Sequence, residues 1–493
     1  MNLKIKFTHI NIIIFTIFFF FWTNYSWDFL WSYIDVKKID YFFNLMNQKI
    51  DVKKIDYFFN FMNQKIDETT MSNNQLNEIK EGFINLRPSY LIILLLLPIL
   101  IQNIKKKPTI IKLFFNNQKK IFLFVLLIII HYFLSKIFYG EKIYKTELAN
   151  ILYLLFLSII YCHYRDFIFL NFNKILYLYL TLFVLFSFSM NYKEYNFGQC
   201  QSDFFLISFF KEYLNITFIN RIYSENSHLG IMMVAVFFSS LFALKDKIKN
   251  KNIFILLIIL SLIILFNNLS TTFFVAYFIS QIFLILFFYN RINKKFWIAT
   301  ISIFIINLII FLSDKHCSMK ITDFSADDVI AKRLNKTSDD FRNNKNATTL
   351  IYERSIIVAL ETLKNRPFGW GIDGLDDATN DFLNKKIYKS ISAPPFKPYS
   401  GDILAMQLNL KDGLSNSLKI ISEFGLFSII LIYLFFSYVV RLKNFSTYNI
   451  FIIILFIAMC IRAAGYFNGG FIFCIFEFLF FQMKNLKHQP KNS

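Results

Sequence analysis

A few charged side chains in an otherwise apolar chain are the residues that could do chemistry. Arg221, Glu225 and His228 cluster in RIYSENSHLG, just where a long apolar stretch begins. Arg354 lies within YERSIIVALETLKN and Arg366 follows directly after it. Arg462 sits inside an apolar run, in MCIRAAGYFNGG, and Glu423 and Glu477 fall in two others. Charge placed in or at the mouth of a membrane is costly, so such residues point to function. For any single one, the alternative is an interfacial side chain that snorkels to water. Arg221, Arg354 and Arg462 together, all on one side, weaken that alternative. Guanidinium forks bind phosphate oxygens in bidentate fashion and stay charged at any relevant pH, which is what a lipid diphosphate would need.

Other motifs carry less. Gly369-Trp-Gly371-Ile-Asp-Gly374 matches GxGxxG. With no strand before it and no clear helix after it, a tight turn at the foot of a helix is the better reading, although such glycines can also nest a phosphate. His131 and His163 fall at span ends and read as interfacial packing. His316 beside Cys317 has no third ligand, so no metal is expected. The five cysteines, Cys162, Cys200, Cys317, Cys460 and Cys474, form no CxxC. Cys200 and Cys317 would both face outward, as two unrelated thiols or as a disulfide.

The elements that must position these residues are apolar helices. The chain is 56% hydrophobic yet carries a net charge of +20, a charge that in a soluble protein would suggest nucleic acid. Here the Lys and Arg lie between apolar spans instead. About twelve spans are expected, at roughly 9–31, 89–104, 121–139, 148–164, 175–190, 227–244, 253–268, 271–289, 296–313, 418–440, 450–466 and 469–482. Basic residues mass at every second gap: Lys105–Lys107 with Lys112, Lys119 and Lys120; Arg165 and Lys174; Lys245, Lys247, Lys249 and Lys251; Arg291, Lys294 and Lys295; Arg441 and Lys443; and the tail. Both termini are therefore expected inside. The fold class expected is an all-α polytopic membrane protein.

The expected organisation is an N-terminal transmembrane helix at 1–33, an outer segment at 34–86, a transmembrane bundle at 87–313, a large outer loop at 314–415, C-terminal transmembrane helices at 416–483 and a cytoplasmic tail at 484–493. Residues 34–49 recur at 50–65 with one change, Leu45 against Phe61. A shift of sixteen residues turns an unbroken helix by about 160°, so the two apolar stripes could not share one surface. A tolerated insertion is the simpler reading. The outer loop holds fifteen Lys and Arg against fourteen Asp and Glu and is nearly neutral. Within it, 347–365 reads as a helix with Leu350, Ile351, Ile357, Leu360 and Leu363 near one face, stopped by Pro367.

The topology, RIYSENSHLG opening a span, YERSIIVALETLKNRPFGWGIDG followed by SNSLKIISEFGLF, and IRAAGYFNGGF near the C-terminus appear in a distinctive order. Over about residues 90–482 the chain resembles the O-antigen polymerase and O-antigen ligase superfamily of bacterial envelope enzymes, the polymerase branch in particular. The resemblance implies a helical bundle of the glycosyltransferase C type in the inner membrane. It implies a metal-independent glycosyltransferase with no cofactor, acting on an undecaprenyl-diphosphate-linked oligosaccharide at the periplasmic face. Carried over, Arg221, Arg354 and Arg462 would contact the diphosphate or glycan, with Arg366 beside them. Ligases tend to carry a histidine-asparagine pair where this chain has Ser415-Asn416. That departure argues against a ligase and leaves the general base open among His228, Glu225 and Asp412. The implied partners are the lipid-linked oligosaccharide, membrane lipid and a candidate chain-length regulator protein, with no nucleic acid. The readings kept beside the polymerase are a ligase and an envelope glycolipid transporter or flippase. Transporters usually show repeat symmetry between halves, and none is visible here.

Overall fold

The computed structural model describes residues 2–23, 96, 119–139, 145–189, 217–218, 223, 226–245, 250–267, 271–313, 347–372, 374–382, 415–442, 445–462 and 470–487. The duplicated 34–65 segment lies outside these residues, as do Arg221, Glu225, Asp412, Cys200, Cys317 and all of the 89–104 span except Leu96.

The described chain is nearly all helix. In order it runs through α1 (Asn2–Phe20), α2 (Lys119–Tyr139), α3 (Lys145–Ser187), α4 (Asn226–Ala243), α5 (Lys251–Asn267), α6 (Thr271–Phe288) and α7 (Lys294–Ser313). Next come α8 (Ala347–Asn365), α9 (Asn416–Phe424), α10 (Ser428–Arg441), α11 (Thr447–Ile461) and α12 (Gly470–Lys487). One two-residue antiparallel pairing, Phe188–Ser189 with Thr217–Phe218, bridges the end of α3 to the approach to α4. Among the described residues, five stretches are long and apolar enough to cross a bilayer: Lys119–Tyr139, Asn150–Ser187, Asn226–Ala243, Thr272–Arg291 and Asn416–Arg441. The protein is on that ground a multi-pass membrane protein. Shorter apolar helices, His9–Phe20, Lys251–Phe266, Thr447–Ile461 and Gly470–Phe481, pack among them.

Two adjacent spans expected at 148–164 and 175–190 are one continuous 43-residue helix, α3. Arg165, expected in a basic gap between them, is 7% exposed in that helix. Its Nη2 lies 2.6 Å from Glu477 Oε1 on α12, and its guanidinium lies 4.4 Å from the centroid of the Phe480 ring. Tyr161 and Tyr448 donate their hydroxyls to Glu477 Oε2 at 2.6 and 3.1 Å. Both oxygens of this buried carboxylate thus meet donors, the condition under which an ion pair survives in a dry interior. Glu477 is therefore explained by this internal pair.

The turns sort to two ends of the bundle. At one end Arg291 donates to the Leu442 carbonyl (2.7 Å), Phe288 packs on Phe445 (4.3 Å) and Phe242 packs on Phe296 (6.0 Å). Lys245, Arg291, Lys294 and Arg441 lie in the turns so gathered, so three basic gaps expected on one side do lie together. At the other end Thr23 donates to the His228 carbonyl (3.3 Å), Gly470 abuts Trp22, and the Ser415 hydroxyl donates to the Cys460 carbonyl (2.7 Å).

Candidate functional site

The candidate residues within the described chain fall at this second end. α8 starts and stops where the sequence places it, but its buried face differs. Ile351, Arg354, Ser355, Val358, Ala359 and Thr362 are buried, whereas Leu360 is 61% exposed. The expected stripe followed the large apolar residues. The real contact face carries an arginine and two hydroxyls at helical spacing and packs mainly on α9. Arg354 itself is 1% exposed. Burial pushes its guanidinium down to about 10, while the nearby Asp376 carboxylate pulls the other way. It is still a cation at neutral pH. Two residues earlier on α8, Tyr352 donates its hydroxyl to the Ile461 carbonyl at the C-terminus of α11. Burial raises the Tyr352 phenol, and the charge of Arg462, the residue that caps α11, opposes that rise.

Beyond α8 the chain makes the glycine turn, and that turn is bound backbone to backbone into a broken membrane helix. α9 and α10 are joined by a 3-10 turn, Gly425–Phe427. Here Leu426 N–H donates to the Pro367 carbonyl (2.8 Å) instead of continuing the α-helical ladder. The Ser422 and Glu423 carbonyls accept instead from Trp370 N–H (3.1 Å) and Gly371 N–H (2.9 Å). The loop thus satisfies the backbone groups that the break releases, which a lipid environment demands. Two glycines allow so close a crossing. Gly369 has φ +76 and a Cβ there would overlap the Glu423 carbonyl; Gly425 has φ +55 and a Cβ would overlap the Pro367 carbonyl. From α2, the His131 ring nitrogen Nε2 donates to the Phe368 carbonyl (2.6 Å) while the ring packs on Phe424 and Phe427. The GxGxxG segment is a turn, as expected. A helix does follow it, over 375–382, which the sequence reading had not seen.

Arg366 lies over the Trp370 ring (3.4 Å to the centroid) and the Tyr139 ring (4.3 Å). Stacking uses the two faces of a guanidinium, and its donors lie in its plane. His228, in the first turn of α4, is 2% exposed and reaches this end through its backbone contact with Thr23. The structure therefore gathers His228, Arg354 and Arg462 at one end of the bundle, with Arg366 on the docked turn. Arg221, Glu225 and Asp412 lie outside the described residues.

Of α9, the sequence singles out Glu423 and the Ser415-Asn416 pair, and it leaves Ser417 and Lys419 unnoticed. Ser415 and Ser417 both donate to the Cys460 carbonyl, at 2.7 and 2.9 Å. Lys419 and Glu423 form a buried pair at 3.8 Å. Asn416 is fully buried, and neither of its side-chain polar atoms meets a hydrogen-bond partner among the described residues. The amphipathic spacing of SNSLKIISEF was the available signal: Asn416, Lys419, Ser422 and Glu423 all lie on the buried side. Chemically the region is a set of guanidinium, ammonium, amide and hydroxyl groups, which suits oxygen-rich anions and sugars. Among the described residues no three His, Cys, Asp or Glu side chains group as a metal site would require. Comparison with protein-family models, curated proteins and solved structures finds no match.

Proposed function

We propose that this protein is an O-antigen polymerase, a glycosyltransferase that joins undecaprenyl-diphosphate-linked oligosaccharide repeat units at the periplasmic face of the bacterial inner membrane. The observation that carries the reading is the docking of the loop helix onto the broken α9–α10 rod, which buries Arg354 at the end of the bundle opposite the basic turns. The positive-inside rule puts the basic turns in the cytoplasm and this end in the periplasm. A helical bundle of the glycosyltransferase C type belongs to the same reading.

The reaction transfers a sugar from a lipid diphosphate to a sugar hydroxyl. The C–O bond to the departing diphosphate breaks, a C–O bond to the acceptor hydroxyl forms, and the hydroxyl proton passes to a base. Arg354 and Arg462, with Arg221, would offset the charge that develops on the diphosphate. The rigid backbone crossing holds α8 against the membrane helix, so donor and acceptor could be aligned without reorganisation. His228, Glu225 and Asp412 are the proposed bases. Arg366 would hold a diphosphate or glycan oxygen beside the turn.

Deletion of the gene in its host tests the proposal. A polymerase leaves the lipid A core capped with a single repeat unit. A ligase instead leaves a bare core with polymer still on the lipid carrier. A transporter leaves repeat units trapped on the cytoplasmic leaflet. Either of the last two results overturns the reading.

A further inference from the structure

An apolar groove of about 250 Å³ runs between α2, the α9–α10 rod and the start of α12. α2 lines it from Phe124 to Phe138, about 21 Å at the helical rise, and Phe424 and Phe427 line it at the break in the rod. Its rim opens sideways: Leu127, Ile130 and Leu134 are each between 44% and 51% exposed, on a helix long and apolar enough to cross a bilayer. The two polar side chains on its walls both bond within the protein. His131 Nε2 donates to the Phe368 carbonyl (2.6 Å) and Ser135 Oγ to the Tyr132 carbonyl (2.9 Å). An apolar slot of this kind excludes water, so hydrocarbon is what fills it.

The dimensions select the occupant. A helix about 10 Å across would need about 1,600 Å³ over the same length, so no further helix, of this chain or of a second copy, seats in the slot. A single extended hydrocarbon chain does. The slot also touches the docked turn, because Phe368 forms part of its wall. The Phe368 ring packs on Phe138 and Phe427, with 6.1 and 6.2 Å between centroids. It stands between Pro367, whose carbonyl takes the Leu426 N–H, and Trp370, whose N–H crosses to the Ser422 carbonyl. Phe368 is nevertheless 47% exposed. A chain in the slot therefore covers apolar surface that is assembled only while the turn is docked.

We propose that this groove binds an unbranched acyl chain of a bilayer phospholipid, and that the bound chain holds the glycine turn docked on the α9–α10 rod. The headgroup takes no part, because the walls are apolar. A ligand that prefers the docked state shifts the docking equilibrium by its differential affinity. Undocking removes the contact with Phe368, worth about two buried methylenes, so the shift is about tenfold. The lipid thus regulates the candidate site, whichever reaction runs there.

The test uses the full-length protein in nanodiscs of diphytanoylphosphatidylcholine, whose methyl-branched chains are too thick for the slot. A trace of phosphatidylcholine with an unbranched, photoreactive acyl chain is the probe. Labelling within 124–138 and 420–431 should exceed that at Ile298 and Ile305, exposed residues of α7, by about tenfold. The same chain on phosphatidylglycerol should label equally. Hydrogen exchange at Trp370 and Gly371 should slow by about tenfold when the host lipid is changed to dioleoylphosphatidylcholine. Ile130→Trp combined with Leu134→Trp fills the slot from rim positions where bulk is tolerated, and its exchange should be the same in both lipids. Groove labelling at the α7 level, labelling that depends on the headgroup, or preferential displacement of the probe by a polyprenyl phosphate overturns the proposal. So does wild-type exchange that ignores the host lipid, or a double variant that still follows it. None of these readouts requires polymer synthesis, so the polymerase reading fails separately, by the deletion phenotype.

Discussion

Gly425→Ala should release the glycine turn from the membrane helix. The added methyl would overlap the Pro367 carbonyl, and alanine at φ +55 and ψ −129 occupies a region that only glycine enters freely. Such a conformation costs about 1–3 kcal/mol for a residue with a side chain. Relieving the overlap by separation breaks the three crossing hydrogen bonds, from Leu426, Trp370 and Gly371, each worth about 1 kcal/mol net. Those bonds are lost on opening in the wild type as well, so the local opening equilibrium should rise by what the strain adds to the docked state, about fivefold to about 150-fold. Hydrogen exchange followed by mass spectrometry on the peptide spanning 366–372 reads this directly, because the Trp370 and Gly371 amides are donors in the crossing. Leu360→Ala, at a side chain 61% exposed, serves as the control and should change nothing there. Protection of Trp370 and Gly371 in Gly425→Ala within about threefold of wild type would refute the backbone-crossing argument, since that is less than the strain alone requires.

Three further outcomes are expected. Glu477→Ala leaves Arg165 buried without its carboxylate and should cost about 3–5 kcal/mol in thermal or denaturant unfolding, much of it recovered by a paired Arg165→Met and Glu477→Leu replacement; an unchanged melting temperature in Glu477→Ala would contradict the buried pair. Topology reporters fused at Lys294 should report cytoplasm and at Asn380 periplasm, and a cytoplasmic signal at Asn380 would invert the orientation. Removing residues 50–65 should leave polymer length and amount near wild type, and loss of polymer at normal membrane levels would give the duplication a role.

What could be read along the sequence was whatever depends on near neighbours. The boundaries of α8 followed from Ala347 onward periodicity and from Pro367, and α6, α7 and α11 followed from apolar runs between basic turns. What escaped depends on partners distant in the chain. Arg165 looked like a loop residue because a window around it shows charge and no reason to bury it; the reason is Glu477, 312 positions away. The buried face of α8 was misassigned because Arg354, Ser355 and Thr362 count against burial until α9 is placed beside them. The turn glycines were visible as a turn, but their purpose, a close crossing with Gly425, needs both segments at once. Asn416 drew notice only as the neighbour of a missing histidine, and its unpartnered amide is a property of the folded chain alone.

Arg354 carries the central claim, because it is the cation that the loop docking buries at the proposed periplasmic site. The measurement is the surface polysaccharide profile of cells in which Arg354→Lys or Arg354→Ala replaces the wild-type chain, at matched membrane levels. Lysine keeps the charge and loses the planar fork, so Arg354→Lys should retain only a small fraction of polymer and Arg354→Ala almost none, with single repeat units capping the core. Full-length polymer from Arg354→Ala would contradict the account.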